Sequence, residues 1–505
     1  MSVLAVVMQA ETAPIPSTAR PTIIAVAIVY FIIVAAIGAW ATRRTRSARD
    51  FFVAGEGIGI WTLAIAAMTA TLSGFAFVGG PGLVYSVGLG AMFLVLPGAI
   101  TNSMGAWVLA KRMRLLGEAR GLVTVPDAIA ARYDSPAAQG LSGVAILIAV
   151  IGYMATNLLA QGLVIDAIFG TGLATGVWIG TIVVLAYTAS GGILAGVYTD
   201  LFQGSLKAFV SVMVFLVALG AGGGLSAMSH RIAAVDPTFL GPWGKLTPLA
   251  ALSFFFVFGV GSLGQPHVVH KFYMLKDPRR LKWYPLLTTS ALLITLLLYF
   301  GVGLAVKAQV VAGAIPPLGK PDETTPTFLL HFTPSLLAGL VFAGVAAAIM
   351  GTTNSLMNIG AAVMTHDLPR ALGRKFGNEL QVGRISTIAL SIAAALVAQL
   401  SGALVAFLGV FGWGLFASTL VPALAIGLNW KGATREGALA SIGTGLGITL
   451  TLETLAFFKV FTFPAGVSAS AIALVSSILV FFSVSWLTRG RAVPLAEDVV
   501  LVMEV

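Results

Sequence analysis

The chain has 505 residues, 58% of them hydrophobic and only 10% charged, with a formal net charge of +10. Soluble domains carry roughly 25% charged residues, so this composition excludes a soluble globular protein and calls for a lipid bilayer as partner. There is no cysteine, which excludes disulfides, thiolate metal sites and thiol catalysis.

The first twenty residues hold a short apolar patch with no basic region ahead of it and no evident cleavage site, so they are not read as a signal peptide. Windows of about 20 apolar residues predict an all-α integral membrane protein of thirteen transmembrane helices. They fall at 22–42, 52–87, 88–113, 139–168, 172–189, 196–222, 247–275, 283–312, 334–367, 382–400, 402–428, 434–457 and 466–488. The loops between them are too short to fold as separate domains.

Loop charge gives an orientation. With the N-terminus outside, 22 of the 29 basic residues fall in alternate, cytoplasmic loops, from Arg43, Arg44, Arg46 and Arg49 to Arg489 and Arg491. Among them are Arg132 and Lys271. This is the positive-inside pattern, and it puts the C-terminus in the cytoplasm of a cell (inner or plasma) membrane protein. The excess charge is thus a matter of topology, not of nucleic-acid binding. No obligate protein partner is indicated.

The second window is interrupted. Thr69–Gly82 reads T-A-T-L-S-G-F-A-F-V-G-G-P-G, and its glycines and proline lower helical propensity at bilayer depth. Lipid cannot satisfy a freed amide or carbonyl, so such backbone persists only against protein or a wet cavity. A kinked helix with no ligand is the plainer alternative. The seventh window is interrupted as well, at Gly259–Pro266. It lies five spans later and therefore crosses in the opposite sense. Spans 2–6 and 7–11 then form an inverted five-helix repeat with discontinuous spans 2 and 7, the best sequence pointer to a secondary transporter's site. The domains follow: 1–51 for the tail and span 1, 52–222 for the first repeat, 247–428 for the second, and 434–505 for spans 12 and 13 with the C-terminal tail.

Span 9 carries a third cluster, from Ala346 to Ser355. Ala348, Thr352 and Ser355 recur at helical spacing, and their carbonyl and hydroxyl oxygens suit a hard monovalent cation. Close helix packing through small residues is the alternative. The five histidines, His230, His267, His270, His331 and His366, are read as solvated or capping residues, with His267 at the cytoplasmic end of span 7. No acid pair or H-x-x-x-H faces a span interior, so the chain is not read as an enzyme.

Several motifs in order resemble the sodium/solute symporter family, in its proline/pantothenate-like branch. They are S-G-F-A-F-V-G-G-P-G at 73–82, G-G-I-L-A-G-V-Y-T-D-L-F-Q-G at 191–204, G-Q-P-H at 264–267 followed by H-K-F, and A-A-I-M-G-T-T-N-S at 347–355. The resemblance covers spans 2 to 11 and implies symport of a small organic solute, a monocarboxylate, an amino acid or similar, coupled to Na+ by alternating access. A proton-coupled carrier of the same fold is the alternative.

The resemblance further implies a sodium site made by the carbonyls of Thr69, Leu72 and Ala348 and the side chains at 351 and 352. Thr352 fits. Gly351 stands where the family usually has serine, leaving water or Thr353 to complete the shell. Thr71 stands where the proline carrier has an aspartate. A second sodium would use Asp200, Asn354 and Ser355. The alternative for Asp200 is a helix N-cap. Lys207 either neutralises Asp200 or, as the favoured reading, snorkels to the cytoplasm. For the solute, the resemblance implies Ser73, Gly74, Tyr153, Gln161, Phe258, Ser262 and Pro266, with Asn157 able to hydrogen-bond and Trp413 as core or gate packing.

Overall fold

A chain dissolved in lipid has to bond its amides within each crossing segment, and the computed structural model is accordingly helical almost throughout. It describes residues 21–43, 58–71, 73–400, 405–458, 460, 461, 463, 466–491 and 494–505. The principal helices are α1 (Pro21–Thr42), α2 (Ile60–Thr71), α3 (Gly80–Val87), α4 (Met92–Gly105), α5 (Val125–Tyr133), α6 (Pro136–Phe169), α7 (Leu173–Gly222) and α8 (Pro248–Val260). They continue with α9 (Pro266–Val269), α10 (Tyr284–Val311), α11 (Ser335–Ala362), α12 (Glu379–Leu400), α13 (Val405–Leu420), α14 (Arg435–Phe457) and α15 (Ala469–Leu487). Helix occupies each of the thirteen predicted windows. Among the described residues, ten helical runs are long and apolar enough to cross a membrane, eleven if the pair bent by 42° at Gln265 counts as one. Windows five and six are joined in the single helical run α7, of 50 residues, where separate spans are expected.

Local chemistry sets where helices start. Thr124, Ser135, Thr247 and Thr434 each accept a backbone N–H from three residues on, so the first turns of α5, α6, α8 and α14 keep few unpaired donors. Outward faces are apolar, as lipid requires: Ile32, Ile182, Leu216 and Leu286 are all more than half exposed.

The centre is polar by contrast. Helix α7 packs on α1, α2, α6, α10, α11 and α12, and α11 packs on α1, α2 and α6. Thr69, Asn157, Asp200, Gln203, Lys207, Thr352 and Asn354 are fully buried in that bundle. Two basic residues assigned to loops by sequence are inside as well. Arg132 donates to the carbonyls of Gly427 and Trp430, and Lys271 is 1% exposed.

Candidate solute and cation site

Helix α2 ends at Thr71, Leu72 lies outside the described residues, Ser73 is not helical, and helix resumes at Gly74. Residues 75–79 form a π-helical turn leading into α3. The interruption therefore falls at Ser73, within the predicted stretch Thr69–Gly82. Gly79–Gly82 is helical, and the Phe77 carbonyl, which Pro81 has no N–H to serve, accepts from Thr325 Oγ1 at 2.7 Å. Its glycines serve close packing instead. A Cβ on Gly80 would overlap the ring of Tyr299, and one on Gly82 would fall 2.5 Å from the carbonyl oxygen of Pro321.

The second interruption turns from α8 through a 3-10 segment, Gly261–Gly264, to an extended Gln265, and Pro266 starts α9. The two breaks face each other. Phe75, just beyond the first, stacks on Phe258, just before the second, with centroids 5.8 Å apart and planes 17° apart. Phe258 stacks in turn on Trp413 at 5.4 Å, and the Trp413 indole N–H donates to the carbonyl of Val257.

Around these rings lie the polar groups. Tyr153 donates its hydroxyl to Ser73 Oγ at 3.3 Å, and the Gly74 N–H donates to Asn157 Oδ1 at 2.8 Å. Gln265 Nε2 donates to the carbonyls of Gly261 and Trp413, while its Oε1 has no partner among the described residues. His267 is buried against Tyr153 with a centroid separation of 5.6 Å, and neither ring nitrogen has a hydrogen-bond partner among the described residues.

Of the residues that the resemblance implies for the solute, Ser73, Gly74, Tyr153 and Phe258 are brought together, and Pro266 begins the helix after the second break. Two are turned elsewhere. Ser262 donates to Thr101 Oγ1 and the Gly259 carbonyl. Gln161 lies against Gly180 of α7, its amide unpartnered among the described residues. His267, read from sequence as a solvated or capping residue, is 1% exposed and lies against Tyr153 and Trp413.

The broken end of α2 needs cations. The last carbonyls of a helix have no intrahelical donor and carry the negative end of its dipole. Lys207 Nζ donates to the Thr69 carbonyl at 3.1 Å, and Lys271 Nζ donates to the Ala66 carbonyl at 2.9 Å and to Asp200 Oδ2 at 2.8 Å. Lys207 and Asp200 are 0% exposed. Three expectations change here. Asp200 is deep within α7 and caps no helix N-terminus. Lys207 does not snorkel; its ammonium is consumed inside the bundle. Lys271 is no loop charge, because its own short helical segment carries it inward to a carboxylate.

Thr352 Oγ1 donates towards the carbonyls of Thr69 at 3.4 Å and Ala348 at 3.3 Å, so these three members of the expected sodium shell converge. Thr353, the other hydroxyl expected near that shell, donates to the Ile349 carbonyl of its own helix at 2.7 Å. The missing hydroxyl at Gly351 has another explanation. A Cβ there would lie 2.6 Å from Asp200 Oδ1, 2.7 Å from Thr69 Cγ2 and 3.0 Å from Gln203 Oε1. The glycine makes room for the carboxylate, whose Oδ1 has no hydrogen-bond partner among the described residues. Asn354 covers Gly196 of α7, and Ser355 Oγ is buried with no such partner either.

His366 is also buried, not solvated. It pairs with Asp127 at 2.8 Å, and Asp367 accepts from Thr124 and Gln139. Asp127, His366 and Asp367 lie close enough for a metal ion. Three of their four carboxylate oxygens already accept hydrogen bonds, however, from Gln139, the Val123 N–H, Thr124 and His366. The cluster reads as a polar strut joining α5, α6 and the end of α11.

Comparison with known proteins places this geometry. The sodium:solute symporter family model matches residues 51–445. The osmoregulated proline transporter OpuE of Bacillus subtilis is 28% identical over 437 residues, covering 85% of this chain and 88% of that one. Sodium/proline symporter 2 of Staphylococcus saprophyticus is 30% identical over 432 residues, covering 83% of each. Among solved structures, a substrate-bound, outward-open Na+-coupled sialic acid symporter aligns with a TM-score of 0.75 at 19% identity, over 94% of this chain and 99% of that one. MhsT in complex with L-phenylalanine aligns at 0.50 and 15% identity, over 85% and 98%. These two likenesses concern the fold alone.

Proposed function

The chain belongs to the sodium:solute symporter family and is a sodium-coupled solute symporter, and we propose that it takes its solute between the two opposed helix breaks and carries it by alternating access. The observation that supports this is the stack of Phe75 on Phe258, which joins the backbone interruption of α2 to that of α8. On this reading the thirteen helical windows are thirteen spans, 52–222 and 247–428 are the inverted repeats, and the N-terminus is outside with the C-terminus in the cytoplasm.

The solute is a small organic molecule with an apolar body and polar ends, and an amino acid of proline's kind fits the wall chemistry best. Tyr153, Phe258 and Trp413 supply ring faces. Ser73, the free Oε1 of Gln265 and the ring nitrogens of His267 supply polar contacts, with Pro266 shaping the turn. The Gly74 amide is already given to Asn157, so a solute carboxylate would be met by side chains and not by that N–H. Ser262 and Gln161 support neighbouring helices instead.

The family resemblance puts the coupling cation at the meeting of α2, α7 and α11. The Thr69 and Ala348 carbonyls and the Thr352 hydroxyl converge there, and the Asp200 carboxylate takes the place beside Gly351 that a hydroxyl would fill. Asn354 and Ser355 border the same region. One charge falling through 100 mV contributes about 2.3 kcal/mol, enough for roughly fiftyfold accumulation per ion.

The test is uptake of radiolabelled L-proline, other amino acids and small monocarboxylates by proteoliposomes, with an inward sodium gradient or with choline. Sodium-driven accumulation of one member, with its KM raised about tenfold or more by Phe258→Ala, is expected. Equal uptake in sodium and choline for every solute transported would refute sodium coupling.

A further inference from the structure

We propose that Lys207 is the resident cation at the broken end of α2: a tethered ammonium stands where the family resemblance puts sodium, so that sodium does not bind on the Thr69 carbonyl of this chain. The inference rests on the reading of this junction as the cation locus.

Four observations carry it. One of the expected ligands, the Thr69 carbonyl, already accepts from Lys207 Nζ at 3.1 Å. Thr352, the expected side-chain ligand, donates towards the carbonyls of Thr69 and Ala348, so both of those expected ligand oxygens are engaged within the protein. The ammonium has no room to withdraw, since Lys207 is fully buried and its helix α7 is packed on six neighbours.

The fourth is charge. With all three ionised, Lys207 and Lys271 against Asp200 leave one net positive charge in a buried cluster. Sodium would add a second, which a low-dielectric interior disfavours strongly. Take away the Lys207 ammonium and the remaining pair is neutral, so that one sodium would restore the charge the junction holds now. The oxygens fit a cation. What does not fit is sodium in addition to the cation the chain supplies itself.

This gives Lys207 a role beyond packing. A free ion at such a junction can leave it, whereas a tethered ammonium cannot. Any sodium that drives uptake must then use other oxygens.

The experiment measures equilibrium binding of radiolabelled sodium to the full-length purified protein at constant ionic strength held with choline. Wild type and Thr352→Ala should bind sodium alike within about twofold, because Thr352 holds none. Lys207→Met should gain a site about tenfold tighter than any in wild type, and Lys207→Met/Thr352→Ala should lose that gain. Should Lys207→Met fail to fold, Lys207→Leu removes both the charge and the donor on Thr69, and the same gain is expected. The inference is overturned if Thr352→Ala weakens sodium binding by wild type about tenfold, or if neither Lys207 variant gains a site.

L-proline uptake by proteoliposomes separates this from the sodium-coupling reading. Sodium-dependent uptake that ignores Thr352→Ala supports both. Uptake indifferent to sodium overturns the coupling reading and leaves the tethered ammonium standing. Sodium-dependent uptake whose sodium KM rises with Thr352→Ala overturns the tethered ammonium and leaves coupling standing.

Discussion

Replacing Lys271 by Met should destabilise the protein by about 3–5 kcal/mol, the usual cost of leaving a buried charge without its partner. The structure says why the cost should not be smaller. Lys271 and Asp200 are 1% and 0% exposed, so water cannot screen the stranded carboxylate. The same ammonium serves the Ala66 carbonyl at 2.9 Å, and that contact is lost with it. Asp200 Oδ1 has no hydrogen-bond partner among the described residues to fall back on. Asp200→Asn should cost a similar amount, because it leaves Lys207 and Lys271 facing each other without a counter-charge. The double variant removes charge of both signs and should lose less than either single one. Reversible unfolding by SDS in mixed micelles, with the four proteins compared as a cycle, measures this. Single losses below about 1 kcal/mol that simply add are the behaviour of an exposed pair and would refute the buried-pair reasoning.

Other expectations concern packing and pH. Gly351→Ser, which restores the residue the family usually has, should cost about 1–3 kcal/mol by overpacking against Asp200 and Thr69; a neutral or stabilising result in the same unfolding assay would show that Asp200 has space to move. Gly80→Ala should be at least as costly because the new methyl overlaps Tyr299, and Tyr299→Leu in the same chain should recover part of the loss. Burial raises the Asp322 carboxyl to about 6. The native state then holds its proton more tightly than the unfolded chain, so stability falls as pH rises from about 4 to about 6. Asp322→Asn, whose amide oxygen can still accept the Val405 N–H, should stabilise by up to about 3 kcal/mol at pH 7.5 and not at all at pH 4. Equal effects at the two pH values would contradict that assignment.

Much of the architecture is local information. A window of about 20 apolar residues has to be helical in lipid because nothing else satisfies its backbone, so the helical windows from 22–42 to 466–488 were legible. So was the weakness of helix at Ser73–Gly74 and at Gly264–Pro266, because glycine and proline act through their own backbone. Thr101 as the partner of Ser262, Gly180 under Gln161 and Tyr299 over Gly80 are contacts between distant segments, and no residue carries them alone.

The lysines mark the boundary most clearly. By itself the amino-acid sequence determined that this chain lives in a membrane, where its helices run and where two of them break, since each depends on hydropathy or backbone freedom within a few residues. Only the tertiary structure decided that Lys271 and Lys207 turn inward to the broken end of α2 and that Gly351 yields its space to Asp200. A lysine's charge is the same in a loop and in a core, and only the carbonyls and carboxylate that other helices bring to it settle where its ammonium is held.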